Sequence, residues 1–244
     1  MRILKVALLL AVVNIVAPHI HAQSLWTSAN FKYGLTKQWS IDAGAEYRTT
    51  DALKSSDRWS LGVGVGYKPM KFLKFDAGYK YIRQHSTLET TKKGNIIPAY
   101  WYDRHRIYVS ATGKLRLGRF DLSLRERYQF TQRVGKWVPK FDSDGLTPKD
   151  DEWISNKSKH VLRSRLECEY DIKKSRFTPS VSVELYDNLS DKFNVERIRY
   201  TVGCAYKINK HNSVDLFYRY IQVPSTGNPE DRGHIIGIGY NFKL

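Results

Sequence analysis

Strict alternation of apolar and charged residues runs through most of this chain. Residues 160–171 read HVLRSRLECEYD, where one alternate set is Leu, Ser, Leu, Cys, Tyr and the other is Arg, Arg, Glu, Glu, Asp. A period of two indicates a β-strand, because successive side chains point to opposite faces of a sheet. The pattern predicts an all-β chain whose strands have one apolar and one ionic face.

Eleven segments show this alternation, and most are longer than a typical strand of a globular protein. Their length suits a tilted strand that crosses a bilayer. Short turns alternate with long loops, as in outer-membrane barrels, where the turns are periplasmic and the loops lie at the cell surface. The longest loop covers 132–159. The predicted strands are 24–34, 39–49, 58–68, 72–83, 103–114, 119–131, 160–171, 176–187, 195–207, 213–222 and 234–244.

Three features indicate that the apolar face points outward to lipid rather than into a soluble core. The apolar rows end in aromatic residues, such as Trp39 and Tyr47, and these side chains prefer the level of the lipid headgroups. The charged face carries Gly62, Gly64 and Gly66, which leave room for long side chains in a crowded lumen. Strand interiors use Arg whereas turns use Lys, and Arg suits confined ion pairs. A soluble β-barrel with the faces reversed is the alternative.

The strand count raises a question of parity. Eleven segments alternate, whereas single-chain bacterial barrels have an even number of strands. We predict one antiparallel transmembrane β-barrel over 23–244, with twelve strands if one more lies hidden in the loops. Ten strands, with 24–34 outside the wall, is the alternative.

The first 22 residues have the features of a signal peptide. Arg2 and Lys5 form a basic start, 3–16 is an apolar core, and cleavage is expected after Ala22. Export to the outer membrane argues against nucleic acid as the partner of a chain whose net charge is +16. The excess charge instead favours outer-membrane lipid and small anionic solutes as partners, and no cofactor is expected.

The C-terminus, GIGYNFKL, resembles the signal by which outer-membrane barrels are recognised for insertion, with Gly239, Phe242 and Leu244 at the expected spacing. This resemblance implies the barrel-assembly machinery as a partner. The segments LWTSANFKYGLTKQWSIDAGAEYR and RWSLGVGVGYKPMKFLKFDAGYKYI resemble an uncharacterised bacterial family, the domain of unknown function 2490 family. That family implies a barrel in the outer membrane and no catalytic residues.

Arginines recur on the charged face in the half of the barrel nearer the long loops. Two interpretations remain open: an ion-pair network that plugs a structural barrel, or an electropositive vestibule leading to a narrow, anion-preferring pore. Arg48 and Arg58 are predicted to join this group, while Asp42, Asp76 and Asp215 fall in the other half. The predicted electropositive ring consists of Arg104, Arg106, Arg125, Arg127, Arg163, Arg165, Arg197, Arg199 and Arg219.

A membrane-embedded enzyme acting on lipid is the alternative function. His105, His160 and His234 fall on the outward face of strands that are not neighbours, so no catalytic residues are predicted. No metal site is predicted, and the loop acids at 142–152 are interpreted as solvated rather than as a weak calcium site. Glu126 interrupts an apolar row. It lies either at the headgroup level or at a bulge that would misassign Arg127.

Overall fold

The computed structural model describes residues 24–50, 54–224 and 233–244, so the predicted signal peptide at 1–22 lies outside the described residues. Within them, no helix is long and apolar enough to span a membrane. The strands are β1 (Ser24–Gly34), β2 (Trp39–Thr50), β3 (Ser55–Met70), β4 (Leu73–His85), β5 (Glu89–Thr90), β6 (Ile96–Ile97), β7 (Trp101–Leu117), β8 (Phe120–Arg133), β9 (Lys136–Phe141), β10 (Pro148–Ile154), β11 (Lys157–Tyr170), β12 (Phe177–Asn188), β13 (Asn194–Lys207), β14 (Asn212–Gln222) and β15 (Gly233–Lys243).

The barrel closes with eleven strands, in the order β1-β15-β14-β13-β12-β11-β8-β7-β4-β3-β2. These are the eleven segments predicted from the alternation, and the favoured count of twelve is wrong for the described part of the chain. The physical reason is that β1 pairs antiparallel with β2 and parallel with β15, from Ser24 opposite Ile235 to Lys32 opposite Lys243. One parallel seam satisfies the backbone groups of both terminal strands, so an odd number of strands closes without a free edge.

The outer face of the barrel is an apolar band. Val63, Leu166 and Val202 lie near mid-height and remain 57%, 57% and 58% exposed, as expected for side chains that face lipid rather than a core. Aromatic pairs border the band, including Trp39 with Tyr67, whose ring centroids are 4.6 Å apart. The prediction that the apolar face points outward is therefore confirmed, and the chain has the architecture of a transmembrane barrel.

The described short turns lie at one end of the barrel and the long loops at the other. We call these the short-turn end and the long-loop end. In contrast to the prediction of plain surface loops, β5, β6, β9 and β10 form a separate four-stranded sheet beyond the long-loop end. Val138 of this sheet is buried against Ile97 and Tyr100, with Ile154 packed beside them. The loop 132–159 thus extends the β8–β11 hairpin beyond the barrel wall.

The two cysteines are expected to remain reduced thiols. Cys168 lies on β11 and Cys204 on β13, and β12 separates the two strands. Next-but-one strands are about 10 Å apart, whereas a disulfide needs Cα atoms within about 7 Å. Mass spectrometry of the non-reduced mature protein should match a reduced control. A mass lower by two hydrogens would contradict this strand order.

Candidate functional site

All nine arginines of the predicted electropositive ring line one cavity. The cavity has a volume of about 930 Å³ and occupies the lumen toward the long-loop end. It forms because the strands alternate regularly, so that arginines two residues apart on β7, β8, β11 and β13 project to the same side. We call this cavity the vestibule. Its basic lining residues are Arg48, Arg58, Lys80, Arg104, Arg106, Arg125, Arg127, Arg133, Lys157, Lys159, Arg163, Arg165, Arg197, Arg199 and Arg219.

The charge of the vestibule is strongly unbalanced. Among the residues that the structure describes, fifteen lysine and arginine side chains face five carboxylates, from Glu46, Asp57, Glu89, Glu184 and Glu196. The formal surplus is therefore ten positive charges. Sequence reasoning missed the contributions of the three lysines and of Arg133. Arg133 lies on the same face of β8 as Arg125 and Arg127, because the three occupy alternate positions along the strand. This alternation was the available sequence signal, but Arg133 lies just beyond the predicted end of the strand.

Glu184 and Tyr186 on β12 organise one wall of the vestibule. The Glu184 carboxylate accepts hydrogen bonds from Arg125 and, at 2.8 Å, from Arg163. The Tyr186 hydroxyl donates to Glu184 at 2.9 Å, and Arg199 donates to that hydroxyl. The guanidinium carbons of Arg163 and Arg199 each lie 4.5 Å from the centroid of the Tyr186 ring. One carboxylate and one ring therefore hold three guanidinium groups in place.

Several arginines stand directly opposite each other on neighbouring strands. Arg127 pairs with Arg163, and Arg125 pairs with Arg165. Like charges in directly opposite positions destabilise a sheet. The fold maintains this repulsion throughout the vestibule, which indicates that concentrated positive charge is a property of the site. The other directly opposite arginine pairs in the vestibule are Arg48 with Arg58 and Arg104 with Arg133.

Trp26 on β1 is an inward-facing aromatic side chain that sequence reasoning did not place. The guanidinium carbons of Arg48, Arg219 and Arg199 lie 3.4, 5.1 and 5.2 Å from the centroid of its ring. Trp26 is buried in an apolar cluster with Ile221, Val223 and Ile235. It therefore supports the arginines beside the β1–β15 seam by cation–π contact. The Leu25-Trp26 pair, just after the predicted signal peptide, was the sequence signal for this side chain.

Two aromatic rings project into the lumen and lie against glycines of neighbouring strands. The Tyr108 ring lies over Gly78 and its hydroxyl approaches Gly64, while the Phe217 ring lies over Gly237. A Cβ at Gly78 or Gly237 would clash with these rings, so glycine makes the close approach sterically feasible. This confirms that lumen-facing glycines accommodate large side chains from neighbouring strands.

The predicted acids occupy the short-turn half of the lumen. Asp76 forms an ion pair with Lys74, and the Asp215 carboxylate accepts a hydrogen bond from Asn241 at 2.6 Å. Glu126 lies on the outward face, where its carboxylate accepts a hydrogen bond from the Ser164 hydroxyl at 2.6 Å. The register of β8 with both neighbours is continuous past this residue, so the alternative of a bulge does not hold.

The three strand histidines lie on the outward face, and each contacts a tyrosine. The distances from the histidine Nδ1 to the tyrosine hydroxyl are 2.6 Å for His105, 2.7 Å for His160 and 2.5 Å for His234. A second aromatic ring lies beside each imidazole, at centroid distances of 5.8, 4.9 and 5.0 Å. The histidines thus belong to the aromatic border of the apolar band.

The loop acids are used in local structure. The Asp144 carboxylate accepts hydrogen bonds from the hydroxyl and amide of Thr147 and from the amide of Leu146, and these bonds lower the pKa of Asp144 to about 2. Asp142 pairs with Lys149 at 3.1 Å, and Glu152 pairs with Lys140 at 2.9 Å. Among residues 24–50, 54–224 and 233–244, no group of three His, Cys, Asp or Glu side chains is arranged to hold a metal ion.

The predicted assembly residues lie on β15 and just after it, at the seam. Phe242 stacks on Phe31 of β1 with ring centroids 5.8 Å apart. Leu244 exchanges two backbone hydrogen bonds with β1, at 3.1 Å with Gly34 and 2.9 Å with Lys32. Gly239 faces the lumen, where Ser28 approaches it. The C-terminus is therefore part of the contact that closes the barrel.

The sequence profile described as "Protein of unknown function (DUF2490)" matches residues 23–232. The chain belongs to this family. The resemblance found in the sequence is thereby confirmed. No curated protein matches this DUF2490 member in sequence.

Solved β-barrels resemble this DUF2490 protein in fold. The β domain of the Bordetella autotransporter BrkA aligns at 13% identity with a TM-score of 0.52, over 86% of this chain and 83% of that chain. The translocator domain of the autotransporter NalP from Neisseria meningitidis aligns at 12% identity with a TM-score of 0.55, over 78% of this chain and 71% of that chain. These likenesses support the fold of an outer-membrane β-barrel and carry no functional assignment.

Proposed function

We propose that this DUF2490 protein is an outer-membrane barrel whose vestibule takes in anions from the cell surface and leads to a narrow, anion-preferring pore. The observation that carries the proposal is the surplus of ten positive charges that the described residues contribute to a cavity of about 930 Å³. Fixed charge in a confined space between low-dielectric walls is poorly screened, so it concentrates anions and repels cations. Export through a signal peptide at 1–22 and recognition of Gly239, Phe242 and Leu244 by the assembly machinery are part of this proposal.

The partners of individual arginines favour this function over a plugged, purely structural lumen. A network that only filled the barrel would pair each guanidinium with a carboxylate. Arg127 instead lies over the Tyr108 ring, at 4.2 Å from its centroid. Arg219 donates to the Thr201 hydroxyl at 2.9 Å and lies over the ring of Phe217, at 4.7 Å. Neutral partners orient these arginines and leave their charge available to a solute.

We place the constriction of the pore at the rings of Tyr108 and Phe217. Tyr108 and Phe217 lie over glycines of neighbouring strands, and the guanidinium carbons of Arg127 and Arg219 lie 4.2 and 4.7 Å from the centroids of their rings. An anion that passes these rings therefore meets a guanidinium. A positive charge at a constriction has the largest influence on which ions pass.

Refolded mature protein should show a preference for chloride over potassium in a planar bilayer. Replacing Arg127 and Arg219 with Gln should lower the permeability ratio by about twofold or more, because two charges leave the constriction. The matched control replaces Arg116 and Arg119 at the short-turn end and should change the ratio less. The measurement is the reversal potential in a salt gradient.

Three outcomes would overturn this proposal. One is a cation-selective wild-type channel, and another is an unchanged ratio in the Arg127→Gln, Arg219→Gln variant. The third is a barrel that inserts into the bilayer but does not conduct, which would favour the plugged structural barrel.

A further inference from the structure

We propose that the wall formed by β4, β7 and β8 holds a binding site for a multiply charged oxyanion, a solute that carries phosphate or carboxylate groups. The site, which we call the oxyanion site, consists of Lys80, Arg104, Arg106 and Arg133. The inference rests on the proposed function only in requiring that the solute reach the vestibule. Binding itself does not depend on conduction.

The register of the three strands brings the four cationic side chains together. Lys80 stands directly opposite Arg106, and Arg104 stands directly opposite Arg133. Directly opposite side chains on adjacent strands have Cβ atoms about 5 Å apart, and diagonal neighbours are about 7–8 Å apart. Arg104 and Arg106 are two residues apart on β7, so the two pairs stack as neighbouring rows on one wall of the vestibule.

Neutral groups hold these arginines in position. Arg104 Nη1 donates to Gln84 Oε1 at 2.9 Å, and Arg106 Nε donates to Thr131 Oγ1 at 2.9 Å. Arg133 Nη2 donates to the backbone carbonyl oxygen of Ser155 at 3.1 Å. Each of these bonds uses one of the five donors of a guanidinium and cancels none of its charge.

Tyr102 orders the same wall from one side. The guanidinium carbon of Arg104 lies 5.2 Å from the centroid of the Tyr102 ring, and that of Arg133 lies 5.8 Å from it. A shared ring fixes the separation of two like charges that would otherwise move apart. The site is therefore already ordered before a solute arrives.

The wall around β12 and β13 is different, because carboxylates compensate its arginines. Glu184 binds Arg125 and Arg163, and Glu196 binds Lys159 and Arg197. By contrast, no side chain of the oxyanion site forms an ion pair with a carboxylate in the part of the chain that the structure describes. The Glu46 carboxylate, which pairs with Arg48, acts on Lys80 only at longer range. The arginines of the oxyanion site therefore differ from Arg125, Arg163 and Arg197 in having neutral hydrogen-bond partners instead of carboxylates.

A multiply charged oxyanion fits this arrangement better than a halide. Two opposite pairs of like charges destabilise the wall, and a bridging anion of charge two or more relieves both pairs at once. Phosphate and carboxylate groups match the fork of a guanidinium with two parallel hydrogen bonds. Chloride has one charge and cannot bridge two forks in this way.

Titration calorimetry on refolded full-length mature protein in detergent micelles tests the site. Tripolyphosphate and citrate are the probes, in chloride buffer of matched ionic strength. We expect the Arg104→Gln, Arg106→Gln variant to bind the tighter probe about tenfold or more weakly, because two charge-assisted contacts are lost. The Arg165→Gln, Arg197→Gln variant removes two charges from the same vestibule, but from side chains that carboxylates already compensate. Its affinity should fall less than about threefold.

Each outcome decides the proposal. Tighter binding of tripolyphosphate identifies phosphate groups and tighter binding of citrate identifies carboxylates, and either supports the site when the two variants differ as expected. If neither probe binds, or if both variants lose affinity equally, the result contradicts the oxyanion site. Equal loss would mean that the anion responds only to the general electrostatic field of the vestibule. The Arg104→Gln, Arg106→Gln variant is folded if it shows the heat-dependent electrophoretic shift of a barrel. If it does not, the Arg133→Gln variant is tested instead, and it must bind the probe more weakly than the wild type.

Conductance separates this inference from the proposed function. Oxyanion binding by a barrel that does not conduct would support the site and overturn the pore. Anion-selective conductance without oxyanion binding would support the pore and overturn the oxyanion site.

Discussion

Replacing Glu184 with Gln should lower the free energy of unfolding by about 3–5 kcal/mol, because it leaves buried guanidiniums without their shared counter-charge. The Glu184 side chain is 7% exposed and forms ion pairs with Arg125, Arg163 and Arg199. Gln retains a hydrogen-bond acceptor but not the charge. Urea titration of the barrel in lipid vesicles, followed by tryptophan fluorescence, measures the change.

Two further variants make the Glu184 result specific. Glu167 pairs with Arg165 at 2.8 Å but its side chain is more exposed, at 19%, and Glu167→Gln should cost less than about 1 kcal/mol. Adding Arg163→Gln to Glu184→Gln should restore part of the lost stability, because one uncompensated charge is removed. A Glu184→Gln barrel as stable as the wild type would contradict the role assigned to this carboxylate.

Replacing Phe242 with Asp, or deleting the last three residues, should prevent insertion into the outer membrane. Phe242 stacks on Phe31 of β1, and Leu244 makes two backbone hydrogen bonds to the same strand. Either change therefore disrupts the seam that closes the barrel. Either change also alters the residues that resemble an assembly signal. The measurement is the amount of heat-modifiable, protease-resistant protein in the outer-membrane fraction.

Phe177→Asp is the matched control for the C-terminal change. Phe177 lies on the outward face at the same short-turn end and pairs with Tyr206 at a centroid distance of 4.9 Å, but it is far from the seam. Near a membrane interface a new charge costs only about 0–1 kcal/mol, so the Phe177→Asp protein should still insert. Normal insertion of the Phe242→Asp protein, or equal failure of both, would contradict a special role for the C-terminal strand.

The period-two pattern was sufficient to define the wall of this barrel. Each of the eleven predicted strands is found with its ends within three residues of the prediction. The same alternation placed nine arginines on the charged face, and all nine line one cavity in the closed barrel. Both assignments need only local geometry, because in an extended strand every second side chain shares a face whatever the rest of the chain does.

Features that depend on lateral contacts between distant segments were decided by the tertiary structure. The sequence left the strand count open because alternation does not show whether β1 meets β15 in parallel, and that seam determines closure with eleven strands. The short hairpins β5–β6 and β9–β10 join one sheet only through a contact between segments far apart in the chain, where Ile96 lies opposite Phe141. Strands of two and six residues are also too short to show a clear alternation in the sequence.

The electrostatics of the vestibule could likewise be predicted only in part from the sequence. Parity predicted which charges face the lumen, but the compensation of Arg163 by Glu184 depends on which strands are neighbours and in which register. The same holds for Trp26, whose position opposite Arg48 follows from the pairing of β1 with β2. Neighbouring charges in a low-dielectric lumen interact according to distance rather than sequence order. Only the closed barrel therefore shows which arginines lie beside carboxylates and which lie beside neutral groups.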